Sequence, residues 1–144
     1  MKRNFAMLGV AVILAGVMAG CSASGASTAC KAEGSNVTIC LNTKPIDFST
    51  SKTKPHSHEA GSIYAPGKVL ASALSVPFDA QVAPDGKSAK VTVNGKAFEP
   101  AMPSGAKGVH VHDGEAYVPV KEFADAAGLK VDVKADQGTA GIAK

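Results

Sequence analysis

EAYVPVKEFADAAGLKVDV, residues Glu115–Val133, is the stretch from which the fold can be read. Val120, Phe123, Ala124 and Ala127 recur at helical spacing and give one apolar stripe. Pro119 suits the first turn of that helix, where a missing N–H costs nothing, and Gly128 suits the left-handed residue that ends it. Beyond the helix, KVDVKAD (Lys130–Asp136) alternates as a half-exposed strand. Asp136-Gln137-Gly138 then turns the chain into a short closing strand, Thr139–Ala143. On the other side, KVTVNG (Lys90–Gly95) runs β-branched into Asn94-Gly95, a strong hairpin turn.

The same pattern occurs earlier in the chain. In SIYAPGKVLASALSVPFDA (Ser62–Ala80), Tyr64, Pro66, Lys68, Ala71, Ala73 and Asp79 each stand 53 residues before their counterparts Tyr117, Pro119, Lys121, Ala124, Ala126 and Asp132. Upstream, NTKPIDF (Asn42–Phe48) falls on NGKAFEP (Asn94–Pro100) at an offset of 52. VTICLN (Val37–Asn42) reads as the first strand, Val69, Leu70, Ala73 and Leu74 as the first helical stripe, and Pro84-Asp85-Gly86 as a turn. Self-similarity at a fixed period marks two copies of one supersecondary unit. The expected fold is α+β: two tandem β-β-α-β-β units, residues 30–86 and 87–144, packed together because either alone would have a marginal core. Five phenylalanines, one of them Phe5 near the start, and two tyrosines supply the aromatic bulk, so alanine and valine do much of the filling.

Asn94-Gly95-Lys96, Tyr117-Val118-Pro119-Val120-Lys121-Glu122-Phe123-Ala124, Gly128-Leu129-Lys130-Val131 and the closing Thr139-x-x-Ile142 strand together resemble the copper amine oxidase N-terminal-like domain, or stalk domain. The second copy carries the resemblance best. In the first, Ala65 and Gly67 replace two valines and Ser75 replaces the helix-ending glycine. The resemblance implies a small α+β module lying outside the catalytic domain of those oxidases. It implies neither copper nor amine oxidation, because fold does not carry function.

The chain opens with Lys2 and Arg3, an apolar run from Phe5 to Val17, and small residues before Cys21. That is secretory-signal anatomy, since the run is too short to span a bilayer. Met18-Ala19-Gly20-Cys21 resembles the bacterial lipoprotein lipobox, with methionine where leucine is usual. The resemblance implies a signal over residues 1–20, lipidation of Cys21 and a flexible tether over 21–29. Lys2 and Arg3 leave with the signal, which takes 15 basic residues to 13 against 12 acidic. With neither a basic run nor an aromatic platform, no nucleic-acid partner is expected. Cys30 and Cys40 then form an even remainder in an oxidising compartment. Glu33–Asn36 can turn a hairpin that brings the two sulfurs together as a disulfide.

The only four histidines fall in two matching words, His56-Ser-His58-Glu59 and His110-Val-His112-Asp113. Residues i and i+2 of a strand face the same way about 6.5–7 Å apart, so each pair can converge on one ion. Four neutral imidazoles suit copper, zinc or nickel, with Glu59 or Asp113 as outer ligand or orienting partner. If the units pack about a pseudo-twofold axis, the pairs face each other across it. Two other readings stand beside this one: solvated histidines in loops, signalled by Lys54-Pro55 and Gly105–Gly108, and a pH-responsive patch. Tyr64 and Tyr117, just before each helix, read as packing residues. There is no Gly-x-Ser-x-Gly elbow and no free thiol is expected, so no catalytic residues are expected. The sequence reads as an exported protein anchored to a bacterial membrane, binding rather than catalytic. Its ligand is a transition-metal ion or, alternatively, a cell-wall polymer or envelope protein that it contacts as a structural module.

Overall fold

The computed structural model describes residues 27–58, 61–98 and 108–144. The signal segment, Cys21 and Glu59 lie outside the described residues. In chain order the elements are β1 (Thr38–Leu41), β2 (Lys44–Pro45), β3 (His56–His58), β4 (Ser62–Pro66), α1 (Gly67–Leu74), β5 (Phe78–Val82) and β6 (Ala89–Val93). There follow β7 (Lys96–Phe98), β8 (His110–His112), β9 (Glu115–Pro119), α2 (Val120–Ala126), β10 (Lys130–Lys134), a 3-10 turn over Ala135–Gln137 and β11 (Thr139–Ala143). The fold is α+β and rich in sheet.

The strands make three sheets, ordered β10-β11-β1-β2, β3-β4-β9-β8 and β5-β6-β7. Turn chemistry sets the hairpins. Asn94-Gly95 joins β6 to β7 with both residues at positive φ, 48° and 77°, as that dipeptide requires in a two-residue turn. Asp113-Gly114 does the same between β8 and β9. Asn42-Thr43 closes β1 on β2 with φ of 47° and 74° and no glycine at all. β1 pairs in parallel with β11, Thr38 opposite Thr139 through Leu41 opposite Ile142, so the first strand is tied to the last. Cys30 and Cys40 are disulfide-bonded with Cα atoms 5.5 Å apart, which fixes the lead-in segment against β1. That segment crosses β11 at Gly141, where any Cβ would collide with the Thr28 carbonyl.

The helices differ from expectation at their starts. Pro66 and Pro119 are the N-cap residues and the last residues of β4 and β9, one position ahead of the first turn. Their fixed φ, −56° and −68°, with extended ψ, serves strand end and helix entry together. At the other end Ser75 takes the left-handed conformation (φ 53°) that Gly128 takes after α2 (φ 75°). The core runs between the helices and the middle sheet. Leu70, Leu74, Val120 and Phe123 are fully buried with Ile63, Ala65 and Val118 of β4 and β9. Ile39 and Ile142 extend it into the first sheet and Val91 and Val93 into the third.

The histidine words are strands, as the i, i+2 reading assumed, and not loops, but their hairpin pairing β3–β4 and β8–β9 was not expected from the sequence. Each histidine word is a three-residue edge strand, His56 opposite Tyr64 and His110 opposite Tyr117. Each α-helix therefore follows a second hairpin rather than a loop.

Candidate functional site

The middle sheet places the histidines. Its centre is the antiparallel pair β4–β9, Tyr64 opposite Pro119, Ala65 opposite Val118 and Pro66 opposite Tyr117. Alternation sends Ile63, Ala65, Ala116 and Val118 to the face packed on the helices. It sends Tyr64, Tyr117 and all four histidines to the opposite face. β3 and β8 are the two edges of this sheet, three strand spacings apart, or about 14 Å if it were flat. Yet the His58 and His110 ring centroids lie 5.5 Å apart, and those of His56 and His112 6.0 Å apart. The histidine side chains therefore reach inward from both edges over the tyrosines.

The result is a six-ring cluster made of two cross-edge triads. One holds His58, His110 and Tyr64, with centroid separations of 5.5, 4.6 and 5.8 Å. The other holds His56, His112 and Tyr117, with separations of 6.0, 5.2 and 5.8 Å. The tyrosines are 0% and 1% exposed, so the rings of the histidines roof two buried phenols. His56 also stacks on Tyr64, which joins the triads.

The two triads are bonded differently. Ser51 and Thr53 hydroxyls donate to Glu115 at 2.5 and 3.4 Å, holding the loop before β3 against β9. Lys54 follows in that loop, and its carbonyl accepts a hydrogen bond from the Tyr117 hydroxyl at 3.3 Å. The same carbonyl stabilises the protonated form of His56. This end opens into a shallow concavity of about 290 Å³ lined by Thr53, Lys54, His56, His112 and Tyr117. At the other end His58 Nδ1, His110 Nε2 and the Tyr64 hydroxyl are all shut off from solvent, and none makes a hydrogen bond. Each buried polar atom left this way costs about 1–3 kcal/mol. Three in one cluster is a large sum for a small domain.

Burial holds the His110 imidazole below its ordinary pKa, helped by repulsion from His58, His56 and His112. Burial and then His112 lower that of His56, against the Lys54 carbonyl. Both favour the neutral ring, the form that can ligate a metal. Burial, then Glu115 and Asp113, pushes the Tyr117 phenol up to about 12. Burial and Glu122 raise Tyr64 as well, opposed by the Gly108 backbone N–H that lies near its oxygen.

The structure thus brings the four sequence-identified histidines together, across the two words rather than within each. Asp113 sits in the exposed β8–β9 turn at positive φ. Among the described residues, no group of three or more His, Cys, Asp or Glu side chains is placed to hold a metal ion. Tyr64 and Tyr117, read from the sequence as packing residues, are buried as expected and also lie against the histidine rings. A larger concavity, about 690 Å³, lies elsewhere, beside α1, and is lined by Lys44, Asp47, Lys68 and Glu115 together with the apolar Leu41, Ile46 and Val69. No protein-family model matches this chain, nor does any curated protein or solved structure.

Proposed function

We propose that this is a non-catalytic binding protein of the bacterial cell envelope, exported and lipid-anchored at Cys21, whose ligand is a copper, zinc or nickel ion held at the histidine cluster. The observation that carries the reading is the meeting of four imidazoles from opposite sheet edges at 5.5–6.0 Å. Nothing in strand pairing requires histidine there, and neutral imidazole suits these metals. The disulfide accords with an oxidising compartment. We read the architecture as two tandem stalk-like units, residues 30–86 and 87–144, joined through β6, which pairs back to β5 and forward to β7. The matched triads are what a pseudo-twofold relation between such units would produce.

The test is calorimetric titration of the full chain, purified in detergent, with Cu(II), Zn(II) and Ni(II), beside metal analysis of the purified protein. One ion per chain at micromolar affinity or tighter supports the reading, provided that His→Ala changes weaken it. No uptake of any of the three metals sinks it. The competing reading, a structural module contacting wall polymer or an envelope protein, draws on two observations. No three-donor His, Cys, Asp or Glu group is present among the described residues, and a concavity of about 690 Å³ lies away from the histidines. It expects cosedimentation with cell-wall polymer and no metal response.

A further inference from the structure

We propose that the metal is bound at one end of the cluster only, by His58 Nδ1, His110 Nε2 and the phenolate oxygen of Tyr64, as a divalent ion of the copper, nickel and zinc class. The proposal rests on the metal-binding reading above and deepens it by naming the donor atoms.

The three atoms are the only buried side-chain polar atoms without a hydrogen bond among the described residues, and they belong to three rings in mutual contact. Native folds satisfy nearly all buried polar atoms, so three unsatisfied ones in one place call for a partner, which we assign as the metal ion. The matching atoms at the other end are already engaged or wet: Tyr117 donates to the Lys54 carbonyl, and His112 is exposed. An ion there would have to break a formed bond; at the Tyr64 end it breaks none. With a phenol as third donor, the site needs no three-donor set drawn from His, Cys, Asp and Glu, of which there is none among the described residues. The balance is simple. Both imidazoles bind as neutral donors, and Tyr64 loses its hydroxyl proton to solvent as the oxygen–metal bond forms, one proton per ion. Because His58 and His110 lie on opposite edge strands, the ion also ties β3 to β8.

The test is Cu(II) titration of the full chain in detergent, followed by calorimetry and visible absorption. Tyr64→Phe, Tyr117→Phe and the four single His→Ala variants are run beside it. Tyr64→Phe removes one oxygen without changing shape, so it remains informative where a histidine variant fails to fold. The expected result is a phenolate-to-copper absorption band that Tyr64→Phe abolishes and Tyr117→Phe keeps. Affinity should fall at least about 10-fold in His58→Ala, His110→Ala and Tyr64→Phe, and little in His56→Ala and His112→Ala. Copper bound without the band, or weakened equally by all four histidine changes, overturns the three-donor site while leaving metal binding intact. Loss confined to His56, His112 and Tyr117 variants moves the site to the other end and also overturns it. A chain that takes up no metal overturns the underlying function itself.

Discussion

At the scale of single residues, Tyr64 and Tyr117 occupy matching places yet carry opposite energetics. The Tyr117 hydroxyl has a carbonyl partner and the Tyr64 hydroxyl has none. Deleting a satisfied hydroxyl loses about 0.5–1.5 kcal/mol, whereas deleting an unsatisfied buried one relieves a desolvation penalty. In metal-free protein, Tyr117→Phe should therefore lower the denaturation free energy by about 1 kcal/mol. Tyr64→Phe should leave it unchanged or raise it, and chemical denaturation of the two variants decides the matter. A second consequence follows from the imidazoles. The folded-state pKa values of His56 and His110 lie below the ordinary 6.5. Between those values and 6.5 the unfolded chain binds more protons than the folded one, so stability rises with pH. Their contribution is complete above about 6.5 and drains away as pH falls through the folded values. His56 faces His112, His58, Tyr64, Tyr117 and the Lys54 carbonyl, and His110 faces His58 and Tyr64, so no carboxylate at the rings reverses the sign. The thermal midpoint of the metal-free protein should drop on going from about pH 8 to about pH 5, and His56→Gln/His110→Gln should flatten that slope. The histidines were legible in the sequence as two pairs spaced i, i+2. That the two pairs face each other was expected only on condition that the units pack about a pseudo-twofold axis; which ring meets which depends on the strand order β3-β4-β9-β8, which local spacing does not encode.

At the scale of elements, the sequence spoke clearly wherever a turn or a period was long enough to read. Asn94-Gly95, Pro84–Gly86 and Gly34 at the cystine turn lie where expected, and β10 alternates half-buried and exposed through all five residues. β3 and β8 are three residues each, too short for a period of two to declare itself. The ends of the helices repeat one geometry with unequal chemistry. Ser75 adopts φ 53° where Gly128 adopts φ 75°, and a side chain in that region costs about 1–2 kcal/mol that glycine does not. Ser75 closes α1 through backbone bonds from its own N–H to Ser72 and from Val76 to Ala71, which glycine would keep. Lys144 adds a bond from Nζ to the Leu74 carbonyl at 3.0 Å. Ser75→Gly should raise stability by about 0.5–1 kcal/mol, read as a higher denaturation midpoint with an unchanged slope. A loss would mean that the serine side chain matters to the helix end in a way its backbone bonds do not show.

At the scale of the whole molecule, what the sequence offered was a repeat; what the structure adds is how the two halves of the chain depend on each other. The two central strands of the middle sheet, β4 and β9, come from opposite halves, and so do the parallel neighbours β1 and β11. Phe78, at the start of β5, meets Phe123 of α2 at 6.3 Å. Even the histidine triads take one ring from each word. Each half alone would expose the edge of β4 or β9 and strip one face from Leu70, Leu74 or Phe123, which are fully buried in the intact fold. Losing such burial costs about 2–5 kcal/mol per large side chain, against a total stability of about 5–15 kcal/mol. A chain severed between Pro103 and Ser104 leaves all eleven strands intact but parts β4 from β9 and β1 from β11 in connectivity. Neither piece by itself should show a cooperative thermal transition, while mixing the two should restore one, together with the dispersed histidine ring resonances of the joined cluster. A first piece that melts cooperatively on its own would show instead that the Cys30–Cys40 bridge and the β5–β6–β7 sheet suffice to hold one unit. The histidine cluster would then be an interface between two self-sufficient units rather than part of their shared core.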